Sequence, residues 1–488
     1  MNKSLVFLNN LIQEKESRID NTYRLKYHMS PRVGWLNDPN GLIYFDGAYH
    51  LYYQANPRRS TPGKMTWGHF LSPDLIRFED KGIALALDGD GENAYSGGAI
   101  EENGKIHIYY TLHTDKHPDV IRYDGDIMEG TEVFTEEENE KRKSLPHPNE
   151  EDKKTEEVYH SSSETGEWFP KGEKVFDNLT LPKNLSIVDF RDPCPAKVGD
   201  THYIFLGGRD NELNAGVIVV LKGKSLDEFE YAFHLGPYYE LGDMAECPCY
   251  QKVDGKDVIL VSGCDTKRRG NDFRNINCSL FILGDLDFEK GEMKVDLIKE
   301  IDKGDSFYAP QFIRGETRPI MVGWMEMWAK KYPTSLRHHG YAGAFSIPRV
   351  LKIEGGDILQ WPVEELTRYE TPYSGEGLPR QADILVNMGS GSSMEIKGDN
   401  GSLLIRNTES GLSLDNGKGN SLYDCVRRTN AAYPDCHLRI LLDTSSIEIF
   451  VEGGKETISS RFYIDGALSL TLTGETSGLT IRKIGERQ

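Results

Sequence analysis

The sequence repeats a hairpin signal five times between about residue 27 and residue 350. Each copy has an apolar strand, a tight turn and a second strand rich in aromatic or aliphatic residues. The turns are Asp46-Gly47, Asn103-Gly104, Gly199-Asp200, Asp254-Gly255 and Gly315-Glu316. Asp-Gly and Asn-Gly between apolar runs are typical of hairpins. Five similar hairpins, each separated by a further hairpin's length of chain, predict a five-bladed β-propeller, with a β-sandwich as the alternative.

The segments on either side of the repeats have a different pattern. Near the start, Leu5, Leu8, Leu11 and Ile12 recur at helical spacing, which predicts a short amphipathic helix within residues 1–24. Residues 372–488 alternate apolar and polar positions in short runs, which is typical of an antiparallel β-sandwich. We therefore expect an all-β chain, with a propeller at 25–350, a linker at 351–371 and a C-terminal sandwich.

The composition restricts the partners and the compartment. The formal net charge of −20 would repel nucleic acid and anionic membranes, so we expect neither as a partner. Seven scattered cysteines fit reduced thiols, and Cys247-Pro-Cys249 is a poor metal signal without further ligands. The N-terminal run LVFL is too short for a signal-peptide core, and no apolar run approaches a membrane span. We expect a cytoplasmic protein with a small-molecule ligand.

Residues 127–157 are highly charged and nearly free of core residues. A stretch of this composition buries too little apolar surface to fold by itself. We expect an exposed, mobile insertion and assign it no chemistry.

The residues at the start of each hairpin's first strand indicate a site. Because equivalent strands of a propeller begin at one end of the central channel, these residues should converge although they are far apart in the sequence. They are Asn37-Asp38, Tyr95-Ser96, Arg191-Asp192, Glu246-Cys247 and Ser306 to Ala309. Three of them are acids, so Asp38, Asp192 and Glu246 should meet in one funnel.

Three carboxylates brought together repel one another and lose hydration, which favours a functional reason for their position. Retaining glycoside hydrolysis needs one carboxylate as nucleophile and one carboxylic acid as proton donor. Aromatic residues suited to stacking on a sugar are Trp67, Tyr95, Phe307 and Trp324, while Asn37 and Gln54 could hydrogen-bond its hydroxyls. A Ca²⁺ site is the rival use of three acids, and no EF-hand loop or Asp-rich cluster supports it.

Six motifs in order resemble glycoside hydrolase family 32, which comprises invertases, sucrose-6-phosphate hydrolases and fructan hydrolases. They are WLNDPNG (35–41), YYQANP (52–57), YSGGA (95–99), FRDP (190–193), EC (246–247) and SFYAPQ (306–311), and SSIEIFVEGG resembles the family's sandwich. The resemblance runs from about residue 25 to the C-terminus. It implies a five-bladed propeller, a β-sandwich and retention of configuration.

The same resemblance implies roles for individual residues. Asp38 would be the nucleophile, Glu246 the acid/base, and Asp192 the residue that holds fructosyl hydroxyls and stabilises the transition state. The substrate-binding residues would be Asn37, Gln54, Trp67, Tyr95, Ser96, Arg191, Tyr308 and Trp324. Purely structural roles stay open for several of them: Asn37 could shape a turn, Ser96 could cap a strand, Trp67 and Trp324 could be blade core, and Cys247 could be a small packed residue.

The predicted activity is that of an invertase-type β-fructofuranosidase acting on sucrose or short fructo-oligosaccharides, without metal or organic cofactor, as a monomer or homodimer. The segment after Gln54 has Pro62 where many relatives carry Trp, and Ser306 stands where they often have Asp, so the leaving group is left open. Arg58-Arg59, or the cluster of Arg337, His338 and His339, could bind the phosphate of sucrose 6-phosphate. The competing hypotheses are a fructosyltransferase, a non-catalytic fructan-binding propeller and a propeller glycosidase for arabinose-containing polymers.

Overall fold

The computed structural model describes residues 2–116, 154–330, 332–417 and 426–485. Most of the predicted insertion at 127–157 lies outside these residues. Its last four residues contradict the prediction of an exposed loop, because they begin a paired strand that runs from Lys154 to Ser163. The strand pairs along its whole length with its neighbour at Lys105–Asp115, and Glu156 and Val158 face inward together.

Five antiparallel sheets form the propeller, and each reads from an innermost to an outermost strand. Blade 1 contains β1 (Gly34–Phe45), β2 (Ala48–Asn56), β3 (Thr66–Ser72) and β4 (Glu79–Leu85). Blade 2 contains β5 (Glu92–Glu102), β6 (Lys105–Asp115), β7 (Lys154–Ser163) and β8 (Glu173–Lys174). Blade 3 contains β9 (Leu185–Val198), β10 (Thr201–Asp210), β11 (Ala215–Gly223) and β12 (Phe229–Leu235).

Blade 4 contains β13 (Met244–Val253), β14 (Lys256–Cys264), β15 (Cys278–Asp287) and β16 (Glu292–Glu300). Next along the chain come β17 (Tyr308–Phe312), β18 (Ile320–Trp324), β19 (Tyr341–Ala342), β20 (Arg349–Glu354) and β21 (Asp357–Pro362). Blade 5 is built from these strands without β19. Its last strands occupy the start of the stretch 351–371 that is predicted to be a linker; the division into domains stays a prediction.

The ring closes where blade 5 meets blade 1. Strand β19 pairs in parallel with Gly34 and Trp35 at the start of β1. Farther along β1, the backbone N–H of Arg314 donates to the carbonyl of Leu42 over 2.8 Å, and the N–H of Tyr44 donates to the carbonyl of Arg314 over 2.7 Å. These backbone bonds join the first and last blades directly.

The tight turns lie where the sequence predicts them. Asp46 and Gly47 both have positive φ, as do Asn103-Gly104 and Asp254-Gly255. Positive φ at both central residues defines the type I′ turn, whose twist matches that of paired strands. The five predicted hairpins are β1–β2, β5–β6, β9–β10, β13–β14 and β17–β18.

Each innermost strand carries a bulge, near its start in four blades and midway along β9 in blade 3. Between two ladder pairs the inner strand advances three residues while its partner advances two, which leaves one residue extra. The shifts fall between Leu36 and Pro39, Ala94 and Gly97, Arg191 and Cys194, Glu246 and Cys249, and Tyr308 and Gln311. A bulge redirects the side chains beside it, so five inner strands are altered in the same way.

The helices are few and short among the described residues. Helix α1 (Lys3–Glu16) buries Leu5, Leu8 and Ile12, and its Asn9 side chain pairs with the backbone of Ile83 on the outer strand of blade 1. The predicted N-terminal helix is therefore confirmed, and it covers a sheet edge. The other helical segments are α2 (Pro333–Leu336) and 3₁₀ turns at Asn178–Thr180, Tyr239–Leu241, Glu364–Tyr369 and Glu452–Gly454.

Two sheets packed face to face form the C-terminal β-sandwich, as predicted. Its strands are β22 (Glu370–Pro372), β23 (Ala382–Gly389), β24 (Ser393–Lys397), β25 (Ser402–Thr408), β26 (Gly411–Asp415), β27 (Val426–Arg428), β28 (Asp435–Asp443), β29 (Ser446–Val451), β30 (Glu456–Arg461), β31 (Ser469–Thr473) and β32 (Thr476–Ile484). One sheet has the order β22-β32-β23-β28-β29-β30 and the other β27-β26-β25-β24-β31. A separate apolar cluster fills the space between them. No helix in the part of the chain described here is long and apolar enough to cross a membrane.

Buried charges join the sandwich to the propeller. The Arg349 guanidinium, wholly buried, bonds Asp302 on the propeller side and Glu448 on the sandwich. His28 lies 2.9 Å from Asp443 through Nδ1 and 2.9 Å from Glu448 through Nε2. Burial alone would lower the pKa of His28, but these two carboxylates raise it to about 9. The imidazolium therefore stabilises the contact between the two parts of the chain.

The His28 contact predicts a pH-dependent stability. Because the folded pKa lies above the ordinary value of 6.5, the contribution is full below about pH 6.5 and disappears as pH rises through about 9. We expect His28→Gln to lower Tm by several degrees at pH 6, and the deficit to shrink toward pH 9.5. Thermal unfolding of both proteins across this range measures it. His437→Gln, at an exposed histidine beside Glu452, is the control and should leave Tm unchanged; a deficit for His28→Gln that stays constant with pH would contradict the charge assignment.

Candidate active site

The bulged inner strands bring the predicted acids together. Asp38 and Asp192 are 8 % and 4 % exposed, respectively. The Cys247 thiol lies between them, 3.7 Å from Asp38 Oδ2 and 3.4 Å from Asp192 Oδ2. Ser96 Oγ donates to Asp38 Oδ2 over 2.7 Å. Residues from blades 1, 2, 3 and 4 thus meet at one point, as the repeat predicts.

Asp192 is held by backbone geometry as well as by its side chain. Its backbone N–H donates to Thr111 Oγ1 over 2.9 Å, and its Oδ2 accepts from the backbone N–H of Cys247 over 2.9 Å. Both Asp192 and Cys247 have positive φ, at 64° and 50°. This left-handed conformation is uncommon outside glycine and occurs at functional sites that the surrounding structure constrains.

Glu246 is bound by two strong donors. Arg191 donates from Nη2 and Nε to Glu246 Oε1, over 2.7 Å and 3.1 Å. Tyr308 OH donates to Oε2 over 2.7 Å, and the Cys264 thiol lies 3.8 Å from the same tyrosine hydroxyl. The Glu246 side chain keeps 17 % of its surface exposed, so it lies at the open side of the group.

The environments shift the three acids in different directions. Burial raises the pKa of Asp38 to about 6, although the Ser96 hydrogen bond opposes the shift. Burial likewise raises the pKa of Asp192, and the negative charges of Glu246 and Asp38 add to the shift. Burial would also raise the pKa of Glu246, but the Arg191 charge and the hydrogen bonds from Tyr308 and Arg191 together outweigh burial, and the pKa is lowered. The site is therefore able to hold protons near neutral pH.

The two predicted amide ligands are fixed by hydrogen bonds inside blade 1 and to blade 2. Asn37 Oδ1 accepts from Trp35 Nε1 over 2.7 Å, which fixes the amide beside the carboxylate. Gln54 Nε2 donates to the carbonyl of Ala94 over 3.0 Å. Both side chains are almost fully buried. The structure thus gives each side chain a fixing hydrogen bond, and the contact of either amide with a sugar stays a prediction.

The predicted aromatic ligands differ in exposure. Tyr95 is partly exposed and stacks on His113 with centroids 4.2 Å apart. Trp67 is wholly buried and its Nε1 donates to the carbonyl of Tyr95 over 3.0 Å. Trp324 is also wholly buried and packs edge-on against Trp35. The two tryptophans occupy blade core, which is the structural role that the sequence leaves open for them, and their contact with a sugar stays a prediction.

Sequence reasoning missed Glu156, which belongs to a charged stretch whose composition indicates no chemistry. Its side chain is 1 % exposed, and Arg191 Nη1 donates to its Oε2 over 3.0 Å. His113 and Lys154 contact its Oε1, at 3.2 Å and 3.1 Å. The signal that could have revealed it is local: Glu156 alternates in phase with Val158 and His160 along a strand.

The basic clusters proposed from the sequence are only partly exposed. Arg58 and Arg59 are both half-buried, and the Arg58 guanidinium lies 5.7 Å above the ring of Phe7 on helix α1. Arg337 donates to Tyr23 OH over 2.9 Å, and His339 stacks on the same tyrosine. The second cluster packs the N-terminal segment against the propeller, and phosphate binding by either cluster stays a prediction.

The cysteines do not form a metal centre in the described part of the chain. No group of three or more His, Cys, Asp or Glu residues there has the geometry to hold a metal ion. The Cys247 thiol faces Asp38 and Asp192. The Cys249 thiol instead lies 3.0 Å from the Cys194 thiol. All six cysteines that the structure describes carry free thiols, and Cys425 lies outside the described residues.

A five-bladed propeller with three carboxylates at its centre, followed by a β-sandwich, defines the class of the protein as a glycoside hydrolase. The models for the N-terminal domain and the C-terminal part of glycosyl hydrolases family 32 match residues 28–362 and 387–482. The chain belongs to glycosyl hydrolase family 32. The resemblance seen in the motifs is thereby confirmed.

Individual relatives are similar over nearly the whole chain. A sucrose-6-phosphate hydrolase of Escherichia coli is 29 % identical, with 93 % of this chain and 92 % of the relative covered. A raffinose invertase of Escherichia coli is 28 % identical, with 95 % and 94 % covered. Among solved structures, a beta-fructofuranosidase of Bombyx mori is 27 % identical with a TM-score of 0.81, covering 99 % of this chain and 98 % of that one.

The buried acids predict a cost in stability. Because the folded pKa of Asp192 is raised, the native state keeps a proton that the unfolded chain has lost, and stability falls as pH rises from about 4 through the folded pKa. We expect Asp192→Asn to raise Tm by about 2 °C or more at pH 7.5, with a smaller gain at pH 5. Thermal unfolding at both pH values measures it. The control Asp200→Asn, at an exposed turn, should leave Tm unchanged at both pH values. A gain in Tm for Asp192→Asn that shrinks as pH rises would refute the raised pKa of Asp192.

Proposed function

We propose that the chain is a retaining β-fructofuranosidase that hydrolyses the terminal β-D-fructofuranosyl bond of sucrose or of a short fructo-oligosaccharide. The observation that carries the proposal is the meeting of Asp38, Asp192 and Glu246 at the centre of a family 32 propeller. It is supported by a relative in the fold comparison, the Bombyx mori beta-fructofuranosidase, a mutant of which is solved in complex with sucrose.

The first step uses Asp38 and Glu246. Asp38 Oδ2 is held by Ser96, whereas its Oδ1 has no hydrogen-bond partner among the described residues and is the oxygen suited to attack. Asp38 bonds to the anomeric C2 of the fructosyl unit as Glu246 gives its proton to the glycosidic oxygen. The C2–oxygen bond breaks and the leaving sugar departs. Glu246 then takes a proton from water, whose oxygen attacks C2; the C2–Asp38 bond breaks, and fructose leaves with retained configuration.

Neighbouring groups stabilise the charge that develops on the fructosyl ring. Asp192 lies beside Asp38 and is fixed by the Cys247 N–H, so its carboxyl can bind ring hydroxyls without reorganising. Tyr308 and Arg191 fix the two oxygens of Glu246. A preorganised acid and nucleophile need little movement to reach the transition state.

The resting protonation state differs from the reactive one. With the pKa of Asp38 raised and that of Glu246 lowered, a single proton shared by the pair resides mainly on Asp38. The reactive form has Asp38 ionised and Glu246 protonated. It carries the same single proton but is the less populated of the two protonation states. The two apparent pKa values belong to the coupled pair, and the reactive form is lost when the pair gains or loses a proton.

This coupling predicts the pH profile. We expect kcat/KM for sucrose to fall as pH rises through about 6, where the pair loses its last proton. Ser96→Ala removes the bond that stabilises ionised Asp38, so this limb should move up by about 1 pH unit while the maximum decreases. Initial rates of fructose release from pH 4 to 9 measure both. Ser393→Ala, on the sandwich, should keep the wild-type profile; a limb that stays in place in Ser96→Ala would contradict the assignment.

The catalytic roles predict large losses of turnover. We expect Glu246→Ala to lower kcat on sucrose by about 10²- to 10⁴-fold and Asp38→Ala by at least as much, because each removes a group that reacts directly. Fructose release by purified variants with wild-type circular dichroism measures it. Asp200→Ala at an exposed turn should retain wild-type turnover. Near-native activity in a well-folded Asp38 or Glu246 variant would refute the mechanism.

A second candidate substrate is sucrose 6-phosphate. It is favoured by relatives that are named sucrose-6-phosphate hydrolases. The loop between β2 and β3 carries three basic residues, Arg58, Arg59 and Lys64. Burial and then the nearby Arg58 charge lower the pKa of Lys64, and a bound phosphate would offset both effects. A comparison of kcat/KM on sucrose, sucrose 6-phosphate and kestose decides between them. A tenfold preference for the phosphorylated sugar, about 1.4 kcal/mol, would identify a phosphate site, and a preference for sucrose or kestose would assign an invertase or oligosaccharide hydrolase.

The remaining parts of the proposal concern the acceptor and the setting. Transfer of the fructosyl group to a sugar shares the first step, so product analysis at high sucrose distinguishes it from hydrolysis. A non-catalytic fructan-binding propeller would bind fructan and release no fructose. We propose a cytoplasmic monomer or homodimer that uses no cofactor, a setting supported by the free thiols of the six described cysteines.

A further inference from the structure

Arg191 bridges two buried carboxylates, only one of which the reaction uses. Its Nε and Nη2 donate to Glu246 Oε1, at 3.1 Å and 2.7 Å. Its Nη1 donates to Glu156 Oε2 at 3.0 Å and to Oε1 at 3.3 Å. The guanidinium therefore divides its donors and its charge between the acid/base and a second acid in blade 2.

Glu156 is held rigidly in the ionised form. His113 Nδ1 and Lys154 Nζ contact its Oε1 from strands β6 and β7, and its backbone carbonyl accepts from Asn178. Burial opposes the charge, but Arg191, Lys154 and His113 outweigh it and keep the pKa of Glu156 well below its ordinary range. A buried, fully ionised carboxylate with three cationic neighbours competes strongly for Arg191.

The competition matters because Glu246 has to carry a proton to act as an acid. A guanidinium directed wholly at Glu246 would favour its ionised form and so leave it without the proton that the leaving oxygen needs. A second anion on the same guanidinium offsets part of that effect. The acid/base is thus adjusted by a residue that does not touch it.

We propose that Glu156 is a positioning residue that holds Arg191 away from exclusive pairing with Glu246, and so increases the fraction of enzyme in which Glu246 carries the catalytic proton. The proposal rests on the fructosidase function proposed above. The charged or titratable groups around Glu246 are Asp38, Arg191, Asp192, Cys247, Cys264 and Tyr308, and those around Glu156 are His113, Asp115, Lys154, Asp189 and Arg191. Arg191 is the residue that both sets share.

The test uses Glu156→Gln, which removes the charge and keeps the size. We expect kcat/KM for sucrose at its maximum to fall about 3- to 10-fold, equivalent to about 0.5 to 1 unit in the pKa of Glu246. The acidic limb of the profile, which reports Glu246 in the free enzyme, should move to lower pH by a similar amount. The limb near pH 6 should remain, since Asp38 keeps its Ser96 partner.

A second substrate separates proton supply from general disturbance. 4-Nitrophenyl β-D-fructofuranoside has a leaving group that departs as a stable anion and needs little protonation. We expect Glu156→Gln to lower its kcat/KM by less than about 2-fold. Asp189→Asn is the matched control, because Asp189 is a buried acid of the same cluster but lies 3.8 Å from Arg191 Nη1 and already pairs with Lys154 and Arg209. It should lower the sucrose value by less than about 2-fold.

Several outcomes would overturn the inference. Equal losses on sucrose and the aryl fructoside, an unmoved acidic limb, or a raised KM with unchanged kcat would assign Glu156 to packing or to binding the leaving sugar. If Glu156→Gln does not fold by thermal unfolding, Glu156→Asp keeps the charge but withdraws it from Arg191 by one methylene, and should give a smaller shift in the same direction. No fructose release by the wild type from either substrate would instead refute the proposed function.

Discussion

The site depends on one backbone feature, the extra residue in each blade's inner strand. Aligned on the proline or glycine that follows, the blades contribute two adjacent positions at or beside the bulge: Asn37-Asp38, Tyr95-Ser96, Arg191-Asp192, Glu246-Cys247 and Tyr308-Ala309. Proline follows in four blades and Gly97 in the other, where a Cβ would lie 1.9 Å from the carbonyl of Tyr109. Proline cannot donate to the ladder, so the bulge is built into the chain. The nucleophile, the acid/base and most of their partners are variations at these two positions.

Charge burial then decides how each position behaves. Burial is the largest influence on all three acids; it raises the pKa of Asp38 and Asp192, whereas at Glu246 the charge and hydrogen bonds of Arg191, with the Tyr308 hydrogen bond, outweigh it. At the domain boundary, Arg349 and His28 offset buried carboxylates in the same way. At the boundary, buried positive groups are thus paired with buried carboxylates. The three acids of the site have less complete charge pairing, and this is where protons have to move.

Much of the architecture was predictable because its signals are local. Type I′ turns follow from Asp-Gly and Asn-Gly pairs, and the N-terminal helix follows from apolar residues at helical spacing. The convergence of Asp38, Asp192 and Glu246 was predictable because blade repetition converts sequence position into spatial position. Glu156 was missed because its carboxylate stands in a charged stretch, where composition favours exposure; its phase with Val158 is a weak signal, and the pairing of β7 with β6 decides that it faces inward. Trp67 and Trp324 were ambiguous because an aromatic residue near the end of a strand can serve equally well in the core or as a ligand contact.

The sequence by itself determined the five-fold repeat, the two-part all-β architecture, the family and the three acids, since each depends on residue types at regular or ordered positions. Only the tertiary structure decided that Arg191 joins Glu246 to Glu156, that Tyr308 and Ser96 each support one carboxylate, and that the two predicted tryptophans are buried. These facts depend on distances between strands of different blades. Electrostatic and hydrogen-bond energies fall off steeply with distance and depend on local burial, neither of which a linear pattern encodes.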